Sequence, residues 1–540
     1  MAPPRSTPGD ARAYHEGTKH SWASVRQSGH ALDWANKPFP FKVYPDLAQT
    51  PLPREVSPPA MPALEALRRL SVTRSSGVDL RALAALLFFS AGLTRKKVYP
   101  SGETISFRAA ASTGALYEVE VYVVAGTVPE LAPGVYHFGP RDFALRQLRA
   151  GDWRAALAEA SSEPERVGGA PVTLVLTAIA WRNTWKYRAR AYRHFFWDAG
   201  TLLANLLATA VALGIPTRLL LGFADTAVDA LLGLEAGREA SLVLVPVGTG
   251  APPPPAAPAV QPLRLASLPL STREVDEPLV WAAIGASALP DGDTARRWAV
   301  EGRAHDASAT GGMPLPDGPP DGTTEASATE ASPATTGLAL GETILRRGST
   351  RTFARVGIPD DLLSALLDAA LSDDLPLDAV ADRPPVDTYL LVHAVDGRVP
   401  GAYVWSRAGR TLRLLREGEF RAEGGYLCLE QTLSADASAV AFFLSRLDPV
   451  LASWGSRGYR TANLVAGLYG GRMYLAAYAL GLGATGLTFY DDDVVSFFSP
   501  EAAGADAIFV TAVGRARRGE GPRGLTWAEG RIEPTRPGEG

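Results

Sequence analysis

The stretch WRNTWKYRARAYRHFFWDAGTLLANLLATAVALGIPTRLLLGF, residues 181–223, decides the fold expected for this chain. From Leu202 onward its apolar residues recur at i, i+1, i+4, i+5 and i+8, which predicts a helix with one apolar stripe. Its first part is cationic and aromatic instead, with three arginines, one lysine and two tyrosines within nine residues. Such residues are costly to bury unless they meet anions or one another, so core packing alone does not explain them.

A second stretch, residues 458–493, repeats the order of features found in the first. Both contain Tyr-Arg, a helix, an Ala-Leu-Gly-(Ile/Leu) turn, a short strand and then an aspartate. The turns at 212–215 and 479–482 align directly. We therefore predict two α+β domains of the same fold, because a duplicated unit can pack as an intrachain pseudo-dimer whose copies diverge.

The rest of the chain divides into segments around these two domains. The predicted segments are an N-terminal arm (1–60), a first domain (61–250), a linker (251–340), a second domain (341–518) and a flexible C-terminal tail (519–540). The linker begins with a Pro/Ala run, which excludes helix and sheet. Its low-complexity part, residues 303–336, is predicted to be disordered.

Composition excludes several classes of protein. The net charge is −4 and no basic face stands out, so binding to nucleic acid or to an anionic membrane is not expected. The single cysteine, Cys428, excludes an intrachain disulfide, and the seven histidines lack the spacing of metal ligands, so no metal site is predicted. The sequence shows neither a secretory signal nor a membrane-spanning run, which favours a cytoplasmic location.

A loop of small residues precedes the best-defined strand of the first domain. Leu116–Val124 alternates as a strand, and Ser112-Thr113-Gly114-Ala115 lies just before it. Small residues let the backbone amides of such a loop approach a flat ligand closely. Helices are predicted over residues 63–70 and 80–93 from their apolar period.

Four motifs, in order along the chain, carry a resemblance to a known family. They are the N-terminal YHEGTKH…SGHALDWANKPFPFKVYPDL; the loop Arg108, Ser112, Gly114, Ala115, Leu116 and Tyr117; the cluster Lys186, Tyr187, Arg190, Tyr192 and Arg193; and the start Arg346, Arg347, Ser349, Arg351 and Phe353. With them the chain resembles the FMN-dependent nitroreductases, and more narrowly the SagB/ThcOx-type dehydrogenases that oxidise azoline rings in ribosomal peptide biosynthesis. The resemblance implies a central, mostly antiparallel sheet flanked by helices in each domain.

The resemblance also implies how two domains would share one FMN. In this family the flavin lies at a dimer interface and draws on both protomers. Here the second domain would hold the phosphate, and the first would supply the loop beside the flavin. The cofactor residues implied are Arg346, Arg347, Ser349, Arg351, Arg515 and Arg517 for the phosphate half, Ser112, Thr113, Gly114, Ala115 and Leu116 for the loop, and Thr488 and Phe489 for the turn that flanks the flavin. Guanidinium groups suit a phosphate through their charge and bidentate geometry.

The converse site looks incomplete by the same comparison. The start of the first domain, RRLSVTRSSG at 68–77, matches irregularly, and no Ser-x-Gly-Ala loop precedes Thr388. Gly222, which matches the turn that flanks the flavin, would serve this incomplete site. We therefore predict one FMN per chain instead of two.

The resemblance assigns the chemistry to Lys186 and Tyr187, one of which would be the general base that removes a ring proton. Burial and the neighbouring Arg188 and Arg190 are expected to lower the pKa of Lys186. The predicted activity is FMN-dependent oxidation of an azoline or related ring, on a peptide or small molecule, alone or beside other biosynthetic enzymes. Two alternatives stay open: an NAD(P)H-dependent nitro or quinone reductase that does not need Lys186, and a catalytically degenerate scaffold protein of a biosynthetic complex. Whether the pseudo-dimer pairs again also stays open.

Overall fold

The computed structural model describes residues 10–69, 72, 77–98, 104–310, 337–380, 383–517, 524–525, 527–528 and 531–532. Within them the chain forms two similar halves, each built on an antiparallel sheet with helices packed against it. One long helix of each half packs against the other, and a continuous hydrophobic core includes residues of both halves.

Helices surround both sheets in the described part of the chain. They are α1 (Ala11–Gly17), α2 (Trp22–Gln27), α3 (Ala63–Arg68), α4 (Leu80–Ala91), α5 (Arg154–Glu159), α6 (Pro164–Gly169), α7 (Ala180–Tyr187), α8 (Ala191–Ala212), α9 (Asp225–Leu232), α10 (Pro278–Ala286), α11 (Gly292–Thr310), α12 (Leu340–Arg346), α13 (Asp360–Ala370), α14 (Arg421–Leu427), α15 (Thr432–Asp436), α16 (Leu447–Trp454), α17 (Arg457–Ala479) and α18 (Asp491–Phe498). Short 3-10 helices cover Trp34–Asn36, Thr113–Ala115 and Arg188–Arg190. The long helices α8 and α17 are the central pair.

The strands alternate with these helices in both halves. They are β1 (Gln49–Pro51), β2 (Leu93–Val98), β3 (Thr104–Arg108), β4 (Val119–Ala125), β5 (Gly134–Gly139), β6 (Ala144–Ala150), β7 (Val172–Ile179), β8 (Glu239–Val247), β9 (Ile358–Pro359), β10 (Asp387–Val392), β11 (Val395–Asp396), β12 (Gly401–Ser406), β13 (Thr411–Glu417), β14 (Ala439–Ser445), β15 (Gly483–Leu487), β16 (Asp506–Gly514), β17 (Gly524–Leu525), β18 (Trp527–Ala528) and β19 (Arg531–Ile532).

The two six-stranded sheets share five strands in the same order, β6-β5-β4-β7-β8 and β13-β12-β10-β14-β16. The first runs β1-β6-β5-β4-β7-β8 and the second β13-β12-β10-β14-β16-β15, and neighbouring strands are antiparallel throughout. The α+β fold with two mostly antiparallel sheets, predicted from the sequence, is confirmed. Both edges differ. β1 extends the first sheet beyond β6, and β15 extends the second by pairing with β16 along its length, whereas the equivalent Thr217 and Leu220 make isolated bridges to β8.

Element boundaries differ from the predicted ones by a few residues. The helix α4 ends at Ala91 and not at Leu93, because Gly92 adopts an extended backbone with ψ at 164°. The strand β4 begins at Val119 and not at Leu116, because the residues just before it turn through left-handed conformations. Local backbone geometry therefore sets boundaries that the apolar period does not specify.

The helix α8 is buried around its whole circumference, although the sequence predicts a single apolar stripe. The reason is that α4 and α17 both pack against it, so that one helix serves both halves. Its buried Asn205 is paired: Asn205 Nδ2 donates to the carbonyls of Phe89 (3.0 Å) and Ala109 (3.1 Å). The segment Ala180–Ala212 is long and apolar enough to cross a membrane, but 89% of its apolar window is buried inside the protein, as in a core helix.

The same turn ends both central helices. Gly214 and Gly481 adopt left-handed backbones with φ of +69° and +72°. In each turn the residue after the glycine donates its N–H to the carbonyl five positions earlier, at 2.9 and 2.8 Å. This is the helix-ending geometry that favours glycine. The predicted alignment of 212–215 with 479–482 is therefore confirmed in three dimensions.

The central helices cross at two equivalent glycines. A Cβ on Gly200 would lie 2.5 Å from the carbonyl oxygen of Leu464, and a Cβ on Gly467 would lie 2.6 Å from Trp197 Cα. Both neighbours are backbone atoms of the facing helix, which cannot rotate away. Glycine at these positions therefore allows the two halves to approach as closely as they do.

Substitution of Gly467 by alanine is expected to destabilise the protein by about 1–3 kcal/mol, because the added methyl group forces the two helices apart. Chemical denaturation of the Gly467→Ala variant measures the effect. The matched control is Gly285→Ala in α10, where a Cβ meets nothing within 4 Å and helix propensity predicts a small gain. Equal stabilities of the two variants would contradict the close crossing.

Two arginines of the predicted cationic cluster are contacts between the halves. Arg190 and Arg193 are buried, and they pair with Asp491 of the second half at 3.0 and 2.6 Å. They also hold the N-terminal arm, since Arg190 donates to the carbonyl of Thr18 (2.6 Å) and Arg193 to that of His15 (2.8 Å). The arm therefore packs across the junction of the two halves, and these charges are used for structure.

The second half makes the equivalent ion pair toward the first. Arg457 and Arg460 of α17 are buried and pair with Asp225 at 2.6 and 2.7 Å. Asp225 and Asp491 each begin a helix, where the backbone N–H groups favour a negative charge. Tyr192 and Tyr459 stack between the two clusters, with ring centroids 6.3 Å apart and an angle of 11° between the planes.

The linker contains a helix where the sequence predicts disorder. The helix α11 extends to Thr310, so the disorder predicted from residue 303 is wrong over 303–310. Trp298 of α11 packs against Trp454 with ring centroids 5.0 Å apart. The Trp454 ring also lies close to Gly302, which fixes α11 one turn further along. Residues 311–336 lie outside the described residues. Within the predicted C-terminal tail, β17 pairs with β2, and β18 pairs with β19.

Candidate functional site

A cavity of about 500 Å³ lies between the two halves. The first half contributes β2, β3, the loop before β4, α7 and α8. The second half contributes the segment after α12, the loop after α14, α17, β15 and β16. The lining residues are Arg95, Phe107, Ala111, Ser112, Thr113, Gly114, Ala115, Tyr117, Lys186, Tyr187, Trp197, Asp198, Thr201, Arg347, Gly348, Ser349, Arg351, Leu429, Gln431, Tyr474, Thr485, Gly486, Leu487, Thr488 and Phe509. The cavity therefore brings together most of the sequence-predicted site residues from both halves.

The loop before β4 is held by a buried carboxylate of α8. Ser112 Oγ, the N–H of Thr113 and Thr113 Oγ1 all donate to Asp198, at 2.6, 2.7 and 2.7 Å. Ser112 Oγ also accepts from the N–H of Tyr117 at 2.9 Å. The two hydroxyl groups predicted to contact a cofactor are therefore used to shape the loop.

Gly114 brings the loop against the catalytic candidates. Its φ is +63°, and a Cβ at this position would lie 2.9 Å from Tyr187 Oη. Ala115 follows with φ at +54°, so two successive residues turn the backbone toward the cavity. Leu116 is not part of the cavity wall and packs instead in a small apolar cluster with Trp181.

Two arginines of the second half are part of the cavity wall. Arg347, Ser349 and Arg351 line the cavity together with the backbone at residue 348. Arg347 reaches across to the first half, where its Nε donates to the carbonyl of Ala109 at 2.8 Å. Ser349 Oγ lies 3.2 Å from Tyr474 Oη.

One cation in the wall was missed by sequence reasoning. Arg95 of β2 lines the cavity, and its Nε donates to the carbonyl of Leu345 at 2.9 Å. The signal available was the basic run Arg-Lys-Lys at 95–97. That run lies far along the chain from the motif that it joins in space.

Three predicted phosphate residues do not reach the cavity wall. Arg346 is exposed at the end of α12 and pairs with Glu342 on the same helix. Arg515 and Arg517 are exposed and hydrogen-bond through their backbone groups to residues 352–354. Their backbone therefore pairs with the segment that follows Ser349 and Arg351, while their side chains lie outside the cavity wall.

The turn after β15 is divided between cavity and core. Thr488 lines the cavity, and its Oγ1 accepts from Gln431 Nε2 at 3.3 Å. Phe489 is fully buried behind it. Its ring packs against Trp197, with centroids 6.3 Å apart, and lies 5.2 Å from the guanidinium carbon of Arg190.

Lys186 and Tyr187 end α7 at the cavity. Lys186 Nζ lies 5.1 Å from the centre of the Tyr187 ring. Burial lowers the pKa of Lys186, and the positive charge of Arg351 lowers it further. The predicted direction is therefore found, but its electrostatic cause is Arg351 of the other half. Arg188 is exposed and paired with Glu277 at 3.1 Å.

The pKa of Tyr187 is shifted in the opposite direction from that of Lys186. Burial raises the pKa of the Tyr187 phenol, and the nearby carboxyl groups of Asp198 and Glu118 raise it further. Its ring contacts the His194 ring edge-on, with centroids 4.5 Å apart. The phenol therefore keeps its proton at neutral pH.

The position equivalent to Thr488 in the first half is closed. Counted back from Asp225 and Asp491, which begin equivalent helices, Gly222 and Phe223 correspond to Thr488 and Phe489. Asp378 of the second half is fully buried there and accepts from the N–H groups of Leu221 and Gly222, both at 2.8 Å. A carboxylate of the chain itself therefore fills the place that opens to the cavity on the other side.

A sequence profile described as "Nitroreductase family" matches residues 74–249 and 344–513, which together make up more than half of the chain. The chain belongs to the nitroreductase family. The family's sequence pattern occurs twice, once in each half, and the cavity lies between the two nitroreductase units.

Solved and curated relatives agree with this assignment. A crystal structure of an Anabaena variabilis protein described as a nitroreductase aligns with a TM-score of 0.66 and 26% identity, covering 94% of this chain and 99% of the other. A Methanocaldococcus jannaschii protein named as a nitroreductase is 28% identical over 184 residues, which are 34% of this chain and 87% of that protein. The microcin B17-processing protein McbC of Escherichia coli is 27% identical over 160 residues, 28% of this chain and 53% of McbC. The match thus spans about half the length of McbC.

Proposed function

We propose that this protein is an FMN-dependent dehydrogenase that binds one flavin in the cavity between its halves and oxidises an azoline or related ring, as SagB-like enzymes do. The observation that carries the proposal is Lys186, whose pKa is lowered, in the same cavity as Arg347, Ser349 and Arg351. We further propose a cytoplasmic location and one active site per chain.

The residues of the cavity suit FMN, which members of the nitroreductase family typically bind. Arg347, Arg351 and Ser349 offer the charge and donors that a phosphate needs. Gly114 has no side chain, so the backbone there can approach a flat ring closely. A Cβ at this position would meet Tyr187. When bound, FMN supplies an acceptor for two electrons in the form of a hydride.

We assign the general base to Lys186 and a hydrogen-bond donor role to Tyr187. Oxidation of an azoline removes one proton and one hydride from the ring. A neutral amine is needed to take the proton, and the lowered pKa of Lys186 increases the fraction of neutral amine at neutral pH. The raised pKa of Tyr187 favours the intact phenol, which can donate to a substrate atom.

The names of the relatives support different substrates. McbC is named for processing of microcin B17, which supports a peptide substrate. The Methanocaldococcus jannaschii protein is named as a nitroreductase, which supports reduction of a nitro compound by NAD(P)H. The two functions predict opposite dependence on Lys186, because hydride transfer from NAD(P)H needs no base at a ring carbon.

Substrate assays of the flavin-loaded enzyme separate these functions. We expect a thiazoline-containing peptide to be converted to the thiazole, with loss of two hydrogens detected by mass spectrometry, and we expect slow flavin reduction by NADH or NADPH. Rapid reduction by NAD(P)H with no azoline turnover would favour the reductase. A protein that binds no FMN after FMN is added would exclude both enzymes and leave a scaffold role.

We expect about one FMN per chain, and we expect Arg351→Ala to weaken FMN binding by about 10-fold to 100-fold, the value of a charge-assisted phosphate contact. Fluorescence titration of the apoprotein measures both quantities. The matched control is Arg346→Ala, which removes an exposed arginine outside the cavity wall and should leave the affinity unchanged. Two FMN per chain would show that Asp378 does not close the equivalent position.

A further inference from the structure

The loop that faces the proposed flavin is held by one acid of α8. Asp198 accepts three hydrogen bonds from Ser112 and Thr113, all between 2.6 and 2.7 Å. Its side chain lines the cavity, while 5% of the residue is exposed. Three donors directed at one carboxylate are the arrangement that stabilises its ionised form.

A second acid lies beneath the first. Glu118 is fully buried at the start of the strand region, next to Asp198. Burial raises the pKa of Glu118 well above its usual value, and the adjacent Asp198 raises it further. Burial raises the pKa of Asp198 as well, but the hydrogen bonds from Ser112 and Thr113 lower it. Two neighbouring buried carboxyl groups favour a state in which one of them keeps a proton. Because Asp198 alone receives the loop's donors, the proton belongs on Glu118.

The pair exists on one side of the molecule. Counted back from Gly214 and Gly481, Asp198 corresponds to Val465 of α17, which is also buried. The carboxylate is therefore not a general feature of the central helices. It occurs in the half whose loop reaches the cavity, and an apolar residue replaces it in the half that would supply the loop of the converse site, where Asp378 accepts from Leu221 and Gly222.

We propose that Asp198 is a positioning residue of the flavin site: as an ionised carboxylate it fixes Ser112–Ala115 in the shape that receives the flavin, while Glu118 beneath it stays uncharged. The inference rests on the proposed flavin site. It assigns a fixed negative charge to the cavity wall, in addition to the cations of the phosphate side.

Two matched substitutions test which acid carries the charge. Asp198→Asn removes the ionised group and misaligns one amide hydrogen against the loop's donors, so we expect FMN affinity to fall at least tenfold. We also expect the reduction potential of the bound flavin to rise, because a negative charge near the flavin opposes its reduction. Glu118→Gln keeps an uncharged side chain of the same shape. FMN affinity should therefore stay within about threefold of wild type, and the reduction potential should equal that of wild type within error.

The outcomes separate this inference from the proposed function. If wild-type protein binds no FMN, the proposed function fails. If wild type binds FMN, and Asp198→Asn has wild-type affinity and potential, or Glu118→Gln loses as much affinity as Asp198→Asn, the inference is wrong. A third variant, Thr113→Val, removes one donor and leaves both acids, and it should give a smaller loss of affinity without a rise in potential. This variant keeps the test valid if Asp198→Asn fails to fold.

Discussion

Lys186→Ala is expected to lower the rate of ring oxidation by about 10²-fold to 10⁴-fold, the usual contribution of a general base, while FMN content stays unchanged. The reason is that the amine is the cavity group whose neutral form is favoured by burial and by Arg351. Single-turnover reduction of the bound flavin by an azoline peptide measures the chemical step directly. The matched control is Arg188→Ala, which removes an exposed cation two positions along and should leave the rate within about twofold. Equal rates for both variants would exclude Lys186 as the base.

The pH dependence of the same step follows from the lowered pKa of Lys186. The base is active as the neutral amine, so the rate should rise with pH and level off above that pKa. Because the pKa lies below the ordinary lysine value, the midpoint of this rise should lie at a lower pH than for an ordinary lysine. In Arg351→Ala saturated with FMN, the midpoint should move to higher pH, since one of the causes of the shift is removed.

Asp491→Ala is expected to destabilise the protein by about 3–5 kcal/mol, because it leaves Arg190 and Arg193 buried without their anion. Denaturation at pH 7 measures this loss. The matched control is the neighbouring Asp492→Ala, whose carboxylate is mostly exposed beside Lys19 and should change stability by less than about 1 kcal/mol. A similar loss of stability in both variants would show that the buried ion pairs of Asp491 contribute no more than an exposed one.

Acid should act on the wild type through the same residue. The two arginines hold the pKa of Asp491 well below its usual value. A carboxylate with a depressed pKa stabilises the folded state above its unfolded pKa, about 4, and this stability is lost as the pH falls below that value. The Asp491→Ala variant should therefore lose less stability than wild type between neutral pH and about pH 3.

The duplication could be predicted because its signals are local. The Ala-Leu-Gly turn at 212–215 and its copy at 479–482 are short, contiguous patterns, and both fold as left-handed helix ends. Lys186 and Tyr187 were identified in the same way, from a motif at the end of one helix. The residues of a contiguous motif can be identified without knowing which distant parts of the chain they contact.

The partners across the cavity could not be predicted, because each is distant in sequence from the group that it contacts. Asp198 lies 85 positions from Thr113, and as one acid within an apolar helix it carries no pattern of its own. Arg347 was identified with its neighbour Arg346, but only the structure separates the one in the cavity from the one in solvent. Asp378 has no motif at all, and its role depends on two backbone N–H groups of the other half.

The buried Asp378 has a consequence for how such a protein can change over time. In a dimer of identical chains every substitution appears at both sites, so a residue that improves one function must be tolerated in both copies. Fusion of the two units removes that constraint. Aspartate at 198 can coexist with valine at 465. The converse site can be occupied by the carboxylate of Asp378, which accepts from the N–H of Gly222 in the other half. Selection can then refine the remaining opening for one substrate, without the compromise that symmetry imposes.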